Sequence, residues 1–164
     1  MSNEIDFYID IEYYGNTENF DCGFEVFNVY LKHKFLDDKA VIHYIIDSES
    51  DDLIAYFSLV ASCIFVSGSK NSNIIPAIEL KMFAIDKNYR NLNLSSRFLE
   101  DITYVVKKYS LECVGAGALI LYSVPAEKVV QIYEDNGFKK MPENFSMYKS
   151  QFNEGCVPMY KFIE

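Results

Sequence analysis

Tryptophan is absent from this 164-residue sequence, and it contains only two arginines and two histidines. No apolar run approaches 18 residues without a charge, so the sequence predicts no membrane-spanning helix. The four cysteines form no C-x-x-C pair and no cluster with His33 or His43, which excludes the common zinc motifs. We therefore expect reduced thiols, no bound metal, no association with a membrane and, because the N-terminus is acidic rather than apolar, a cytoplasmic protein.

Positive charge is also scarce, since the formal net charge is −9. Residues 1–31 contain seven carboxylates and no lysine or arginine, and such a surface repels nucleic acid and anionic membranes at long range. Residues 81–108 are the exception, with six cations against three carboxylates. Ordinary surface variation and an anion-binding site both explain this local excess.

Hydrophobic periodicity predicts alternating strands and helices. The predicted strands cover residues 4–14, 40–47, 53–66, 75–86, 118–123 and 157–163. The predicted helices cover residues 22–36 with Asp21 as N-cap, a stripe from Leu94 to Tyr109, and residues 126–136 with Gly137 as a left-handed cap. The order β-α-β-β-β-α-β-α-β predicts the α/β (α+β) class, with one mixed sheet flanked by helices. The length suits a single domain, residues 1–164.

The stretch 75–100 contains a long apolar strand, a polar loop and the start of an amphipathic helix, and both arginines, Arg90 and Arg97, lie in it. A strand that leads into a helix N-terminus is a typical place to bind a phosphate group. Phosphate-binding loops normally contain glycines, whereas this loop has asparagine and serine at those places. Simple capping of a core helix therefore remains an alternative to an anion site.

Tyr133 falls near the end of the third predicted helix, one turn before Gly137. A tyrosine there commonly packs in the core with its hydroxyl on a partner. A phenol, with a pKa of about 10, is also a suitable acid for a departing thiolate. Residue types alone leave both interpretations open.

Three segments in order resemble the Gcn5-related N-acetyltransferases. They are the strand 75–86 with its loop, the strand 118–123, and residues 132–138, Ile-Tyr-Glu-Asp-Asn-Gly-Phe. The family's loop reads Arg/Gln-x-x-Gly-x-Gly/Ala; Arg90 matches it, while Asn93 and Ser95 replace the two small residues. The Tyr-Glu-x-x-Gly-Phe element matches in full. The resemblance implies the acyl-CoA N-acyltransferase fold, with a mostly antiparallel sheet, and transfer of acetyl from acetyl-CoA to a primary amine.

The resemblance also implies a role for individual residues. The backbone of Phe83, Ala84 and Ile85 is expected to pair with the pantetheine arm, and an N–H there to polarise the thioester carbonyl. The pyrophosphate is expected to bind to the loop made of Arg90, Asn91, Leu92, Asn93, Leu94, Ser95 and Ser96. Tyr133 is expected to be the general acid, and Glu79 or a water molecule the base.

A narrower resemblance is to the acetyltransferase toxins of bacterial toxin–antitoxin modules, which acetylate the amino group of aminoacyl-tRNA. It rests on Phe20-x-Cys22-Gly23, on Ile54-Ala55-Tyr56-Phe57-Ser58-Leu59 and on the closing Met159-Tyr160. It implies an amine-bearing acceptor and an antitoxin-like partner or a homodimer, although the acidic charge disfavours tRNA. The alternative is a weak or inactive binding module of the same fold, because the loop lacks its glycines.

Overall fold

The computed structural model describes residues 4–33, 39–68, 70, 73–150 and 153–164, apart from the side chain of Asn91. The helices are α1 (Glu25–His33), α2 (Leu94–Tyr109) and α3 (Glu127–Asp135). The strands are β1 (Phe7–Asp10), β2 (Val41–Asp47), β3 (Leu53–Val66), β4 (Asn73–Ile85), β5 (Ala118–Ser123), β6 (Lys139–Lys140), β7 (Phe145–Ser146) and β8 (Val157–Phe162). No described helix is long and apolar enough to cross a membrane.

The described strands form one sheet with the order β1-β2-β3-β4-β5-β8-β6, and β7 pairs with β3 off this path. β4 and β5 run parallel to each other. The pairs β1–β2, β2–β3, β3–β7, β5–β8 and β6–β8 are antiparallel. The prediction of a mixed, mostly antiparallel sheet flanked by helices is therefore confirmed.

The chain divides into two compact units, and β3 and β4 each contribute to both. The first comprises residues 1–59 and 81–94, and the second comprises residues 60–80 and 95–164. The first unit has an aromatic core in which Phe20 packs edge to face on Tyr56, at 5.5 Å between ring centroids. The Tyr56 hydroxyl donates to the Phe27 carbonyl at 2.7 Å, so α1 is fixed to β3.

The second unit is built around β5, in which all but one side chain is buried. This fits a strand that is covered on both faces. The predicted apolar stripe of α2 is confirmed, since Phe98, Leu99, Ile102 and Val106 are all at most 1% exposed.

The sequence placed the start of α1 too early. The helix begins at Glu25, and the Phe24 carbonyl accepts from the Phe27 and Asn28 amides. Asp21 is not its N-cap, because the helix begins four residues later; Oδ1 of Asp21 accepts from the Gly23 amide at 2.8 Å, within the loop before the helix. Gly23 has a φ of +79°, which a right-handed helix cannot contain, so the helix starts after it. The predicted end of this helix falls on residues 34–38, which lie outside the described residues.

The two shortest strands were not predicted as such. The sequence indicated only a strand or turn after Phe138 and an irregular segment over 141–154, whereas β6 and β7 have two residues each. Two residues cannot show an alternating pattern, so these strands depend on the neighbours that they pair with. His43 is buried and its ring stacks on that of Phe57, at 4.7 Å between ring centroids.

Candidate active site

The end of β4 carries the residues expected to hold the pantetheine arm. The parallel ladder between β4 and β5 ends where Leu80 is opposite Leu121. β4 then continues to Ile85, with Ala84 buried and both Phe83 and Ile85 half-buried. The backbone of these last residues therefore lies beyond the described register with β5, and extended backbone of this kind is suited to pairing with a linear amide-containing ligand.

Asp86 organises the segment that follows β4. Its buried carboxylate accepts from the Asn88 amide at 2.9 Å and from the Asp21 amide at 3.0 Å. Its own amide donates to the Ile54 carbonyl at 2.8 Å. The first of these bonds caps the 3-10 helix Lys87–Leu92. The start of the loop is therefore fixed by a carboxylate that is itself held in place.

Asn93 marks the junction between the 3-10 helix and α2, and it has left-handed backbone angles, φ 53° and ψ 35°. A left-handed residue directly after a right-handed one turns successive N–H groups into a concave nest that suits an anion. α2 begins at the next residue, Leu94, and its first turn contains no acidic side chain. Unbonded N–H groups and the positive end of the helix dipole add to the same field. This backbone is suited to binding an anion.

The Arg90 side chain lies against the loop that precedes α1. A Cβ added at Gly23 would lie 3.2 Å from Nη2 of Arg90 and 3.4 Å from Nη1. The guanidinium carbon is 5.8 Å from the centre of the Phe24 ring, within the range of a cation–π contact. Contact between Arg90 and a cofactor stays a prediction, because these contacts concern only its place in the protein.

Tyr133 lies in α3, and its half-buried ring packs edge to face on Phe138, at 5.7 Å between centroids. Removal of the phenol from water raises its pKa to about 12, because burial disfavours the charged phenolate. Among the described residues its hydroxyl has no hydrogen-bond partner. The phenol is therefore protonated at neutral pH and available to donate a proton.

The C-terminal end of α3 is closed by a Schellman motif. The Phe138 amide donates to the Tyr133 carbonyl and the Gly137 amide to the Glu134 carbonyl, both at 3.0 Å. Gly137 has a φ of +87°, so its predicted role as a left-handed cap is confirmed. Nδ2 of Asn136 donates to Oγ of Ser96 at 3.1 Å. Within the second unit, the helix of Tyr133 is thus bonded to the first turn of α2.

Glu79, the candidate base, lies in β4 opposite Ile120 of β5 and is half-buried. Burial raises the pKa of the nearby Tyr122, and the charges of Glu79 and Cys156 raise it further. The Tyr122 hydroxyl donates to the Met147 carbonyl at 3.3 Å. The carboxylate is therefore close enough to a phenol to act on it electrostatically.

No family model matches the sequence, and no curated protein matches it either. Solved structures do. A structure described as a bacterial toxin superposes with a TM-score of 0.75 at 20% identity, over 97% of this chain and 92% of that one. The structure of AtaT complexed with acetyl-methionyl-tRNAfMet superposes with a TM-score of 0.69 at 21% identity, over 91% of this chain and 98% of that one. The structure of AtaTR bound with acetyl-CoA has a TM-score of 0.69 at 22% identity, over 91% of this chain and 96% of that one.

The chain has the fold of the Gcn5-related N-acetyltransferases. Within this acetyltransferase fold, the β4–α2 loop departs from the usual pattern in having Asn93 and Ser95 at its two small positions. Asn93 nevertheless adopts the left-handed conformation that a glycine would take there. Asparagine is among the few other residues that reach it at modest cost. The loop therefore has a left-handed residue at this position without a glycine.

Two residues that contact the segment after β4 were not among the site residues predicted from the sequence. Asp21 and Gly23 contact the segment Asp86–Arg90 in the first unit, although more than 60 residues of chain separate them. No local pattern signals such a contact. Asp86 did have a local signal in the sequence, because an aspartate side chain commonly accepts a hydrogen bond from the backbone amide two residues after it.

Proposed function

We propose that residues 1–164 act as a single N-acetyltransferase domain that transfers acetyl from acetyl-CoA to a primary amine. The observation that carries this proposal is the left-handed Asn93 at the start of α2, directly after β4 in an acetyltransferase fold. That backbone presents amides and a helix dipole where a diphosphate would bind. The fold supports the reaction class, since the matched AtaTR structure is bound with acetyl-CoA.

In this proposal the chain holds acetyl-CoA chiefly by its backbone. Phe83, Ala84 and Ile85 pair with the pantetheine arm as an additional strand would. The diphosphate is held by the loop Arg90, Asn91, Leu92, Asn93, Leu94, Ser95 and Ser96. The serine hydroxyls provide donors that the glycines of the usual loop lack.

Acetyl-CoA supplies the thioester, whose carbonyl carbon forms the new bond to the amine nitrogen as the C–S bond breaks. Tyr133 donates its phenolic proton toward the departing thiolate. A thiol has a pKa of about 8.5, well below that of this phenol, so a strong hydrogen bond to the developing charge contributes more than complete proton transfer. Glu79 or a water molecule takes the proton that the amine loses, and the released thiolate takes up a proton from solvent, so Tyr133 ends the cycle protonated.

The proposed biological setting is a toxin-like enzyme with an antitoxin-like partner or a second copy as its companion. Matched structures include AtaT bound to the C-terminus of AtaR together with acetyl-CoA, and a KacTA–DNA complex. An aminoacyl-tRNA is one candidate acceptor, since AtaT is matched in complex with acetyl-methionyl-tRNAfMet. The net charge of −9 works against it. The cytoplasmic location stays a prediction.

A binding module without activity is the second candidate, and the missing loop glycines favour it. The strain of a non-glycine residue in the left-handed region is about 1 kcal/mol. Because the folded chain already has Asn93 in this conformation, the strain lowers the stability of the loop and has only a small effect on cofactor affinity. The active enzyme is therefore the better supported of the two.

Calorimetric titration of the wild type with acetyl-CoA, followed by an assay of thiol release with a panel of amines, tests the proposal. We expect binding by the wild type and by Tyr133→Phe, with turnover lost only in the variant. Tyr104→Phe is the matched control, since Tyr104 is 70% exposed on α2. The absence of binding at millimolar acetyl-CoA would exclude the enzyme, and full activity of Tyr133→Phe would exclude the assigned acid.

A further inference from the structure

The entry loop, residues 20–24, connects to α1 and is bonded to the 3-10 helix that follows β4. We infer that Asp21 and Gly23 in this loop are positioning residues that hold the diphosphate-binding loop in its binding conformation. The inference rests on the proposed function, since it concerns the affinity for acetyl-CoA. All of the contacts that carry it lie within the first unit.

Asp21 makes bonds with both its side chain and its backbone. Oδ2 accepts from Nζ of Lys87 at 2.7 Å, and Oδ1 accepts from the Gly23 amide at 2.8 Å and from Nδ2 of Asn28 at 3.0 Å. The Asp21 amide donates to Asp86, and the Asp21 carbonyl accepts from the Lys87 amide at 2.9 Å. The entry loop is thus joined to the start of the 3-10 helix through one backbone–backbone bond, one bond from its backbone to the Asp86 carboxylate, and one ion pair.

The entry loop is itself anchored to α1. Asn28 is buried in that helix, and its Oδ1 accepts from the Cys22 amide at 2.9 Å. Phe20 and Cys22 are buried in the aromatic core of the first unit. The loop is therefore a fixed support, and the Phe20-x-Cys22-Gly23 motif of the sequence is explained by packing and hydrogen bonding.

Gly23 makes the second connection, to Arg90 near the other end of the 3-10 helix. Its φ of +79° favours glycine, and an added Cβ would lie 3.2 Å from the guanidinium, which would have to shift by a few tenths of an ångström. Arg90 also lies over the Phe24 ring. The contacts at Asp86, Lys87 and Arg90 leave only two residues between the supported segment and Asn93.

A nest of amides binds a diphosphate well only if its backbone is already in place. Otherwise the free-energy cost of ordering a loose loop is subtracted from the binding free energy. The entry loop supplies that order from outside the diphosphate-binding loop. Loss of the support should weaken ligands that carry the diphosphate and leave those without it unchanged. A merely structural role would weaken both or neither.

The test compares Gly23→Ala with Gly155→Ala by calorimetry, using acetyl-CoA and S-acetylpantetheine, which lacks the diphosphate. Gly155 is the matched control, because its φ is +77° and nothing lies within 4 Å of an added Cβ. We expect the dissociation constant for acetyl-CoA to rise about tenfold in Gly23→Ala only, with that for S-acetylpantetheine within twofold of the wild type. Asp21→Asn is a second variant that needs no change of backbone, and the same selectivity is expected.

The double variant Gly23→Ala/Arg90→Met isolates the contact with the guanidinium. Its affinity for acetyl-CoA should fall by less than the product of the two single effects. Equal weakening of both ligands, or wild-type affinity for acetyl-CoA in both Gly23→Ala and Asp21→Asn, would overturn the inference while the proposed function stands. Failure of the wild type itself to bind acetyl-CoA would overturn both.

Discussion

Nδ2 of Asn136 donates to Oγ of Ser96 at 3.1 Å, and the same amide donates to the Ile132 carbonyl at 2.8 Å. One side chain therefore joins the end of α3, which carries Tyr133, to the first turn of α2. The bond gives the proposed acid a fixed position relative to a serine of the proposed cofactor loop within the second unit.

Replacement of Asn136 by alanine should remove this connection. We expect a loss of about 0.5–1.5 kcal/mol in the free energy of unfolding, the usual net value of a hydrogen bond, and a several-fold fall in kcat. Urea denaturation and steady-state kinetics measure the two effects. Gln131→Ala is the control, since the Gln131 side chain donates to Asp135 on the exposed side of α3, at 2.8 Å. Equal kcat values in the two variants would contradict the positioning effect.

Gly137→Ala should destabilise the protein by about 1–2 kcal/mol, because the left-handed conformation strains any residue with a Cβ. An added Cβ would also lie 3.3 Å from Cε of Lys161, whose Nζ donates to the Asn136 carbonyl at 3.0 Å. Thermal or urea denaturation measures the change. Gly115→Ala separates the two causes, since its φ is +64° and nothing lies within 4 Å of its added Cβ. A larger loss in Gly115→Ala would contradict the role of Lys161.

The sequence predicted the elements with long, regular patterns. The stripe of α2 was readable because its apolar residues recur at helical spacing, and β5 was bounded correctly between Gly117 and Pro125. Strands of two residues and the start of α1 were not readable, since they depend on pairing and on the conformation of one glycine. Local sequence signals thus predicted most of the helices and strands, but few of their exact first and last residues.

The candidate site divides in the same way. Tyr133 and its glycine cap, Gly137, are only four residues apart in the sequence, and the structure shows the cap as predicted. The Asp21–Lys87 ion pair spans 66 residues, and only the folded chain brings its two halves together. Charge counts had left the cations of residues 81–108 unassigned, and in the structure Lys87 and Arg90 both contact the entry loop.

Asn93→Gly should restore the usual glycine without changing the shape of the loop. We expect the variant to be as stable as the wild type or up to about 1 kcal/mol more stable, with an acetyl-CoA dissociation constant within a fewfold. Asn93→Ala should lose about 1 kcal/mol and bind more weakly, since alanine reaches the left-handed region less readily than asparagine. Denaturation and calorimetry test both. Equal stability of the alanine and glycine variants would mean that the left-handed conformation is not maintained in solution.

Tyr133 should remain protonated throughout the working pH range. Burial raises its pKa to about 12 in the folded protein, against about 10 in the unfolded chain. The folded state therefore favours the neutral phenol, and this contribution to stability is fully present below pH 10 and is lost as the pH rises toward 12. Tyr133→Phe should be less sensitive to alkaline unfolding over that interval, which urea denaturation at pH 9 and pH 11 would measure.

The same protonation state fixes the expected kinetics of acetyl transfer. No fall in kcat from ionisation of Tyr133 should occur between pH 7 and pH 10, whereas Tyr133→Phe should lower kcat by about 10²- to 10⁴-fold at every pH in that range. A wild-type rate that fell above pH 8, in parallel with a spectroscopically detected phenolate absent from Tyr133→Phe, would show that the phenol is not shielded from water. If Tyr133 stays protonated as expected, the acid is in its active form throughout this pH range. Any rise of kcat with pH would then report ionisation of the base or of the amine.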